Sequence, residues 1–164
     1  MLKSLKLSKK LLELCFKKNV KLLTAESCTG GLLSANITRV AGSSSVFSYG
    51  FICYSNESKR KFLNVTKKTI ESYGAVSYET VDQMLIGLCK QATSKTLAVA
   101  ISGVAGPSGS ESKPVGLVFI GVKISSCNSE KIAQLNFGNI GRDKIQEKSV
   151  NEALKMCLDM VRSA

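Results

Sequence analysis

The length, composition and charge of the chain exclude several classes of protein before any motif is considered. The chain has 164 residues, 44% of them hydrophobic and 21% charged, which suits one folded domain with a sizeable core rather than a disordered protein. Its longest apolar stretches, such as 117–122, are too short to span a bilayer. Lysines interrupt the apolar residues of the N-terminus, which predicts an amphipathic helix rather than a secretion signal. We therefore expect a single cytoplasmic domain over 1–164.

The net charge of +11 is compatible with nucleic acid or with a small anion as the ligand. Most of the positive charge is lysine spread over several segments, which is typical of solvated helix faces. We therefore expect neither a nucleic acid nor a membrane as the partner.

The chain has six cysteines and no histidine. The cysteines stand singly, without a C-x-x-C pair, so we expect neither a disulfide framework nor a zinc site. A Mg²⁺ site formed by carboxylates alone stays compatible with the composition, but no cofactor is expected. The lack of histidine also excludes Ser-His-Asp triads and Cys-His dyads, so a nucleophile would need activation by lysine, tyrosine, a carboxylate or a helix N-terminus.

The hydrophobic pattern predicts helices and strands that alternate at first and strands that pair directly later. The predicted helices cover 5–18, 26–38, 56–63, 67–74, 77–93 and 142–161. The predicted strands cover 20–25, 46–54, 96–102, 117–124 and 131–137, the last two forming a hairpin around 127–129. This order predicts an α/β fold, a three-layer α/β/α domain with a mixed, mostly parallel sheet of about five strands.

The first candidate for chemistry is the segment 26–31, Glu26-Ser27-Cys28-Thr29-Gly30-Gly31, at the predicted junction of a strand and a helix. A hydroxyl there lies at the carboxyl end of a sheet strand, where open α/β folds usually bind ligands. The following amides can stabilise an anion at a helix N-terminus, and the glycines allow close backbone approach. The alternative is that Ser and Thr only cap the helix.

The second candidate is the pair Tyr54 and Lys59, just after a predicted strand. A lysine can favour ionisation of a nearby tyrosine, or lose its own charge by partial burial and act as a base. Either group could then take the proton of Ser27. The alternative is a tyrosine that ends a strand and a lysine on the surface. The sequence has no G-x-G-x-x-G segment that would indicate a dinucleotide site.

Two further candidates are a glycine-rich loop over 103–116 and Arg142. Gly103 and Gly106 belong to this loop, which is long enough to enclose a substrate or to be a plain surface connection. Arg142 lies at a predicted helix start, where a guanidinium suits a phosphate. An exposed arginine without a ligand is the alternative.

Four strings in the sequence, TAESCTGG (24–31), YSNESK (54–59), YGAVSYETVDQM (73–84) and ISGVAGPSG with KPVG (101–116), resemble the CinA C-terminal-domain family, whose enzymatic members are nicotinamide-mononucleotide deamidases. The strings occur in family order and cover nearly the whole chain. The resemblance implies an anticodon-binding-domain-like α/β/α fold. It also implies metal-independent hydrolysis of nicotinamide mononucleotide to nicotinic acid mononucleotide and ammonia, and a homodimer.

The resemblance further implies that Ser27 is the nucleophile and that Tyr54 and Lys59 handle protons. In this interpretation amides around 28–31 stabilise the oxyanion, and Cys28 is a rival nucleophile by position that we expect to serve packing instead. The expected substrate-binding residues are Glu26, Cys28, Thr29, Gly30, Gly31, Asn56, Gly103, Gly106 and Arg142, with Glu26 and Asn56 holding the site in place.

The sequence departs from the family pattern at two places. Gly109-Ser110 replaces a common pair of glycines, and Asn139-Ile140-Gly141-Arg142 stands where the family tends to have a G-D-R-like string with a further arginine beyond it. Longer relatives have an N-terminal molybdopterin-binding-like domain, and we expect residues 1–164 to correspond to the C-terminal-type domain alone. Two other functions stay open: an amidase for another small amide, and a non-catalytic module that binds nucleotides or nucleic acid.

Overall fold

Six α-helices and five strands make up most of the described residues, which are 2–110, 112–126 and 129–164 of a computed structural model. The chain begins with α1 (Leu2–Lys17), β1 (Lys21–Glu26), α2 (Leu32–Thr38), a 3-10 turn (Ser43–Ser45) and β2 (Phe47–Ile52). It continues with α3 (Asn56–Leu63), α4 (Lys67–Tyr73), α5 (Tyr78–Cys89) and β3 (Thr96–Gly103). It ends with β4 (Leu117–Ile124), β5 (Glu130–Asn136) and α6 (Arg142–Ser163).

The five strands form one mixed sheet in the order β2-β1-β3-β4-β5. Strand β1 pairs in parallel with both β2 and β3, whereas β4 runs antiparallel to β3 and β5 runs antiparallel to β4. Four strands therefore point in one direction and only β4 points in the other, which confirms the predicted mixed, mostly parallel sheet. The carboxyl ends of β1, β2 and β3 consequently meet at one edge.

Helices cover both faces of this sheet, and the side-chain alternation of β3 shows how. Leu97, Val99 and Ile101 pack into a core with α1, α2 and α6, whereas Ala98 and Ala100 pack into a second core with α5 and the segment after α3. Successive residues of a strand point to opposite faces, so one buried strand supplies both cores. The predicted three-layer architecture is confirmed.

The start of α2 differs from the prediction. The segment 26–31 was expected to open the helix, but Glu26 ends β1 and α2 begins only at Leu32. Gly30 and Gly31 have φ angles of 59° and 96°, in the left-handed region that a right-handed helix excludes. The two glycines therefore form the turn between strand and helix rather than the first helical residues.

Smaller differences occur at the ends of other elements. Helix α5 ends at Cys89, so the predicted extension of this helix to residue 93 was wrong. Of the predicted hairpin turn around 127–129, Cys127 and Asn128 lie outside the described residues. No helix in the described ranges is long and apolar enough to cross a bilayer.

Candidate active site

A cavity of about 260 Å³ opens at the sheet edge where β1, β2 and β3 end. Residues that follow these three strands, the loop after β3 and the first residue of α6 line it. This edge is where open α/β sheets usually bind ligands. Eight of the residues predicted from the sequence line the cavity: Ser27, Cys28, Tyr54, Asn56, Lys59, Gly103, Gly106 and Arg142.

The centre of the cavity wall is a contact between Ser27 and Lys59. The Lys59 Nζ donates to Ser27 Oγ at 3.0 Å and to the Cys53 carbonyl oxygen at 3.0 Å. Ser27 is 7% exposed and Lys59 only 1% exposed. Lysine is almost never buried to this degree in a protein interior unless its amine has polar partners. The arrangement thus places an amine against a hydroxyl on one wall of the cavity.

Local sequence explains how Lys59 reaches Ser27. Helix α3 begins after Ser55, whose Oγ accepts from the Ser58 amide at 3.0 Å while Ser58 Oγ accepts from the Ser55 amide at 3.1 Å. This reciprocal capping fixes the first turn of the helix. Lys59 follows at once and, with Leu63 one turn later, forms the buried face of α3. The cap therefore sets the direction from which the lysine enters the cavity.

Tyr54 occupies a different environment from Lys59. Its side chain is 60% exposed, and its hydroxyl oxygen accepts from Arg142 Nη2 at 2.6 Å. Arg142 Nη1 also donates to the Gly106 carbonyl oxygen at 2.7 Å. The predicted pairing of Tyr54 with Lys59 is therefore not a hydrogen bond in this structure, although both side chains line the same cavity. Arg142 keeps donors for a ligand, because a guanidinium carries more N–H groups than these two bonds use.

The carboxylate of Glu26 lies on the N-terminus of α2 and not in the cavity. It is fully buried and accepts from the amides of Gly31, Leu33 and Ser34 at 3.2, 2.9 and 2.8 Å, and from Ser34 Oγ at 2.6 Å. Its own backbone oxygen accepts from the Cys53 amide at 2.7 Å. Glu26 therefore holds the turn that carries Ser27 rather than contacting a ligand.

The glycines of this turn also differ from their predicted role. The Gly30 amide donates to the Ser27 carbonyl oxygen at 3.0 Å, and the Gly31 amide is bound by Glu26. Neither amide is thus available to an oxyanion, and Glu26, Thr29, Gly30 and Gly31 are outside the cavity lining. In the described part of the chain, the amides of Cys28 and Thr29 donate to no acceptor in another residue. Of the backbone amides over 28–31 that were expected to stabilise an oxyanion, only those of Cys28 and Thr29 therefore remain candidates.

Cys28 lies in the cavity wall beside the serine but is a poor nucleophile. Burial raises the pKa of its thiol to about 12, and the thiolate, not the thiol, is the reactive form. The side chain also belongs to the hydrophobic core beneath α2 and α6. This environment agrees with a packing role.

Alkylation of the folded protein tests this description of Cys28. At neutral pH we expect iodoacetamide to modify Cys28 at least about 100-fold more slowly than an unperturbed cysteine of pKa about 8.5. The rate should rise with pH throughout the alkaline range, because a raised pKa keeps the thiol protonated until higher pH. Peptide mass spectrometry measures the rate, and protein unfolded in urea is the control. Fast modification of Cys28 in the folded protein at neutral pH would contradict the assignment.

Several lining residues were not identified from the sequence. Ser102, Ser108 and Ser110 contribute hydroxyls to the cavity, and Ala75 and Val76 come from the segment before α5. Ser102 had a usable signal, because it is a polar residue near the carboxyl end of an otherwise apolar buried strand. Ser108 and Ser110 had none, because nothing in a glycine-rich loop indicates which hydroxyls face inward. Over the described ranges, no three His, Cys, Asp or Glu side chains cluster as metal ligands do.

Comparison with known proteins identifies the family whose sequence and fold this chain shares. The profile of the CinA C-terminal domain matches residues 4–161. A CinA-like protein of Petrotoga mobilis is 44% identical over 153 residues, which are 93% of this chain and 37% of that protein. A putative competence-damage inducible protein of Alkaliphilus oremlandii is 41% identical over 145 residues, which are 88% of this chain and 34% of that protein. The chain thus spans little more than a third of the length of these relatives.

Solved structures of similar proteins match this chain over nearly their whole length. The competence/damage inducible protein CihA from Agrobacterium tumefaciens has a TM-score of 0.91 and 37% identity, covering 96% of this chain and 95% of that one. A CinA superfamily protein from Klebsiella pneumoniae has a TM-score of 0.92 and 27% identity, covering 98% and 99%. From the profile match, the relatives and the shared fold, the chain belongs to the CinA C-terminal-domain family.

Proposed function

We propose that this domain is a metal-independent amidase that hydrolyses the carboxamide of nicotinamide mononucleotide, with Ser27 as nucleophile and Lys59 as proton acceptor. The observation that carries the proposal is the buried Lys59 amine 3.0 Å from Ser27 Oγ in the wall of a cavity. Burying an amine is costly, and groups of this kind are concentrated at sites of chemistry. A module that only binds a ligand has no need of this contact.

In the first half of the proposed reaction, Ser27 becomes acylated. The neutral Lys59 amine takes the Ser27 proton while Oγ forms a bond to the carboxamide carbon, and the carbonyl electrons move to oxygen. Backbone amides after Ser27 stabilise the resulting oxyanion. The oxyanion then collapses and the C–N bond breaks. The leaving nitrogen takes from Lys59 the proton that came from Ser27 and departs as ammonia, which leaves an ester of Ser27.

In the second half, water replaces ammonia. Lys59, neutral again after giving up its proton, accepts a proton from water as the water oxygen attacks the ester carbon. Collapse of the second oxyanion breaks the ester bond and returns a proton to Ser27 Oγ. The products are the free carboxylic acid and the original enzyme. Tyr54 supports the leaving-group side, because its oxygen accepts from Arg142 and its hydroxyl can donate a hydrogen bond to the departing nitrogen without losing its proton.

The charges and size of the cavity support a small anionic substrate. Among the described lining residues no side chain is acidic, and the guanidinium of Arg142 is cationic. The volume of about 260 Å³ is near the lower limit of roughly 300 Å³ for small-molecule sites, which suits a mononucleotide better than a peptide. The family resemblance supports nicotinamide mononucleotide in particular, with Arg142 next to its phosphate.

The five described cysteines are all free thiols, which supports a reducing compartment such as the cytoplasm.

Ammonia release from nicotinamide mononucleotide in the presence of EDTA tests the proposal. Purified protein should release ammonia and nicotinic acid mononucleotide in equal amounts, and the chelator should not change the rate. Nicotinamide riboside, which lacks the phosphate, should react less efficiently. Arg142→Ala should reduce the preference for the phosphorylated substrate, because it removes the cation proposed for the phosphate.

The outcomes of this experiment separate the remaining functions. Turnover of other small amides but not of the mononucleotide would keep the serine chemistry and reject the substrate. Binding of nucleotides without turnover by folded protein would favour a non-catalytic module. Binding of nucleic acid would weaken steeply as the salt concentration rises, which distinguishes it from binding of a small nucleotide.

A further inference from the structure

A side chain of α6 is bound to the turn that carries the nucleophile. Gln146 Nε2 donates to the Cys28 carbonyl oxygen at 2.7 Å, between residues 118 positions apart in the sequence. Gln146 is half-buried. No helical or sheet pairing requires this bond, because the turn lies between β1 and α2 and belongs to neither element. The contact therefore joins the turn directly to α6.

The bond to the Cys28 carbonyl also determines where the next amide points. The described part of the chain has its cis peptide bond at Gly106-Pro107, so the Cys28-Thr29 peptide is trans. The C=O and N–H of a planar trans peptide point in opposite directions. By holding the Cys28 oxygen, Gln146 consequently directs the Thr29 N–H away from α6.

The preceding peptide is held in the same manner. The Ser27 carbonyl oxygen accepts from the Gly30 amide at 3.0 Å, which fixes the direction of the Cys28 N–H. The N–H directions of two successive peptides directly after the nucleophile are thus each fixed by a hydrogen bond to the carbonyl oxygen of the same peptide. In the described residues neither of these amides has an acceptor in another residue, although the Cys28 amide contacts its own sulfur. Cys28 lines the cavity, and Thr29 directly follows it in the sequence.

We propose that Gln146 is a positioning residue that orients the Thr29 amide, and with it a two-amide oxyanion site formed by Cys28 and Thr29. This inference rests on the proposed serine amidase function. A hydrogen bond to the carbonyl also polarises the peptide and strengthens its N–H as a donor. Gln146 touches no reacting atom, so its effect on the reaction passes through the Cys28-Thr29 peptide.

The position of Gln146 on α6 supports this role. It is four residues after Arg142, so the two side chains lie on one face of the helix. Arg142 binds Tyr54 and Gly106, and Gln146 binds the Ser27-Cys28 turn. The first turns of α6 thereby connect three separate segments around the cavity in one rigid arrangement.

Kinetics of Gln146→Leu test the inference. We expect kcat to fall about 10- to 100-fold with KM within about twofold of wild type, because an oxyanion donor acts mainly in the transition state. Gln146→Arg keeps an N–H donor of sufficient reach and should restore most of kcat. Gln83→Leu is the matched control, because its Nε2 donates to Thr69 Oγ1 at 2.7 Å and Gln83 is outside the cavity lining. Gln83→Leu should leave kcat unchanged even if it lowers thermal stability.

A spectroscopic measurement tests the positioning without reference to turnover. Cys28-Thr29 is the sole Cys-Thr pair in the sequence, so ¹³C-carbonyl cysteine combined with ¹⁵N-threonine gives one coupled NMR signal. Gln146→Leu should shift this signal and accelerate exchange of the Thr29 amide, and Gln146→Arg should reverse both changes. Gln83→Leu should change neither.

The outcomes distinguish failure of the inference from failure of the proposed function. If wild type releases ammonia, Ser27→Ala does not, and Gln146→Leu retains full kcat, the positioning role is overturned while the amidase stands. An unchanged NMR signal in Gln146→Leu overturns the positioning role regardless of activity. If folded wild type hydrolyses no amide, the amidase itself fails and the oxyanion role fails with it.

Discussion

Ser27→Ala is expected to reduce ammonia release from nicotinamide mononucleotide by about 10⁴-fold or more, as loss of the nucleophile does in other serine hydrolases. The variant removes Oγ, to which the attacking bond is proposed to form, and leaves Lys59 without its hydroxyl partner. Binding of the substrate should change little, because the nucleophile contributes mainly to the chemical step. Steady-state ammonia release gives the rate, and calorimetry of substrate binding gives the affinity.

The control for Ser27→Ala is the same substitution at Ser149. Ser149 is buried like Ser27, and its Oγ donates to the Ile145 carbonyl oxygen at 2.7 Å. It is outside the cavity lining, so Ser149→Ala should retain wild-type turnover. Equal turnover by Ser27→Ala and wild type would reject Ser27 as the nucleophile. Cys28 would then be the next candidate despite its raised pKa.

Lys59→Met is expected to lower kcat by about 10²- to 10⁴-fold, the range that general acid–base groups contribute. Methionine has a similar length and suits the buried position, so the fold should persist. The proposed reaction needs the neutral amine, so the wild-type rate should rise with pH until that amine is fully deprotonated and then level off. This pH dependence should be absent from the residual rate of Lys59→Met.

Lys59→Arg separates the role of a base from the role of a positive charge. A guanidinium stays protonated at all relevant pH values and has no acceptor, so this variant should be as inactive as Lys59→Met. Lys61→Met on the exposed surface of the same helix is the matched control and should retain turnover. Recovery of activity in Lys59→Arg would show that the charge suffices and would refute proton transfer to Lys59.

Much of the fold was predictable because it depends on local patterns. The bounds of α3 and β4 agree with the sequence prediction, since a capping serine and a mostly apolar run are local signals. The start of α2 was mispredicted, because the segment 26–31 was expected to open the helix and nothing local separates a turn there from the first helical residues. Their left-handed φ angles and the capping by Glu26 depend on the sheet that carries Glu26.

The sequence by itself determined which residue types would meet at the cavity. Ser27, Tyr54 and Lys59 follow two strands whose carboxyl ends share one sheet edge, and this follows from chain order in a parallel sheet. Only the tertiary structure decided which of them are in contact. Lys59 binds Ser27, Tyr54 binds Arg142 and Gln146 binds Cys28, through hydrogen bonds between residues 32, 88 and 118 positions apart. Periodicity reports the direction of a side chain relative to its own helix or strand, whereas these partners are set by how the helices pack across the sheet.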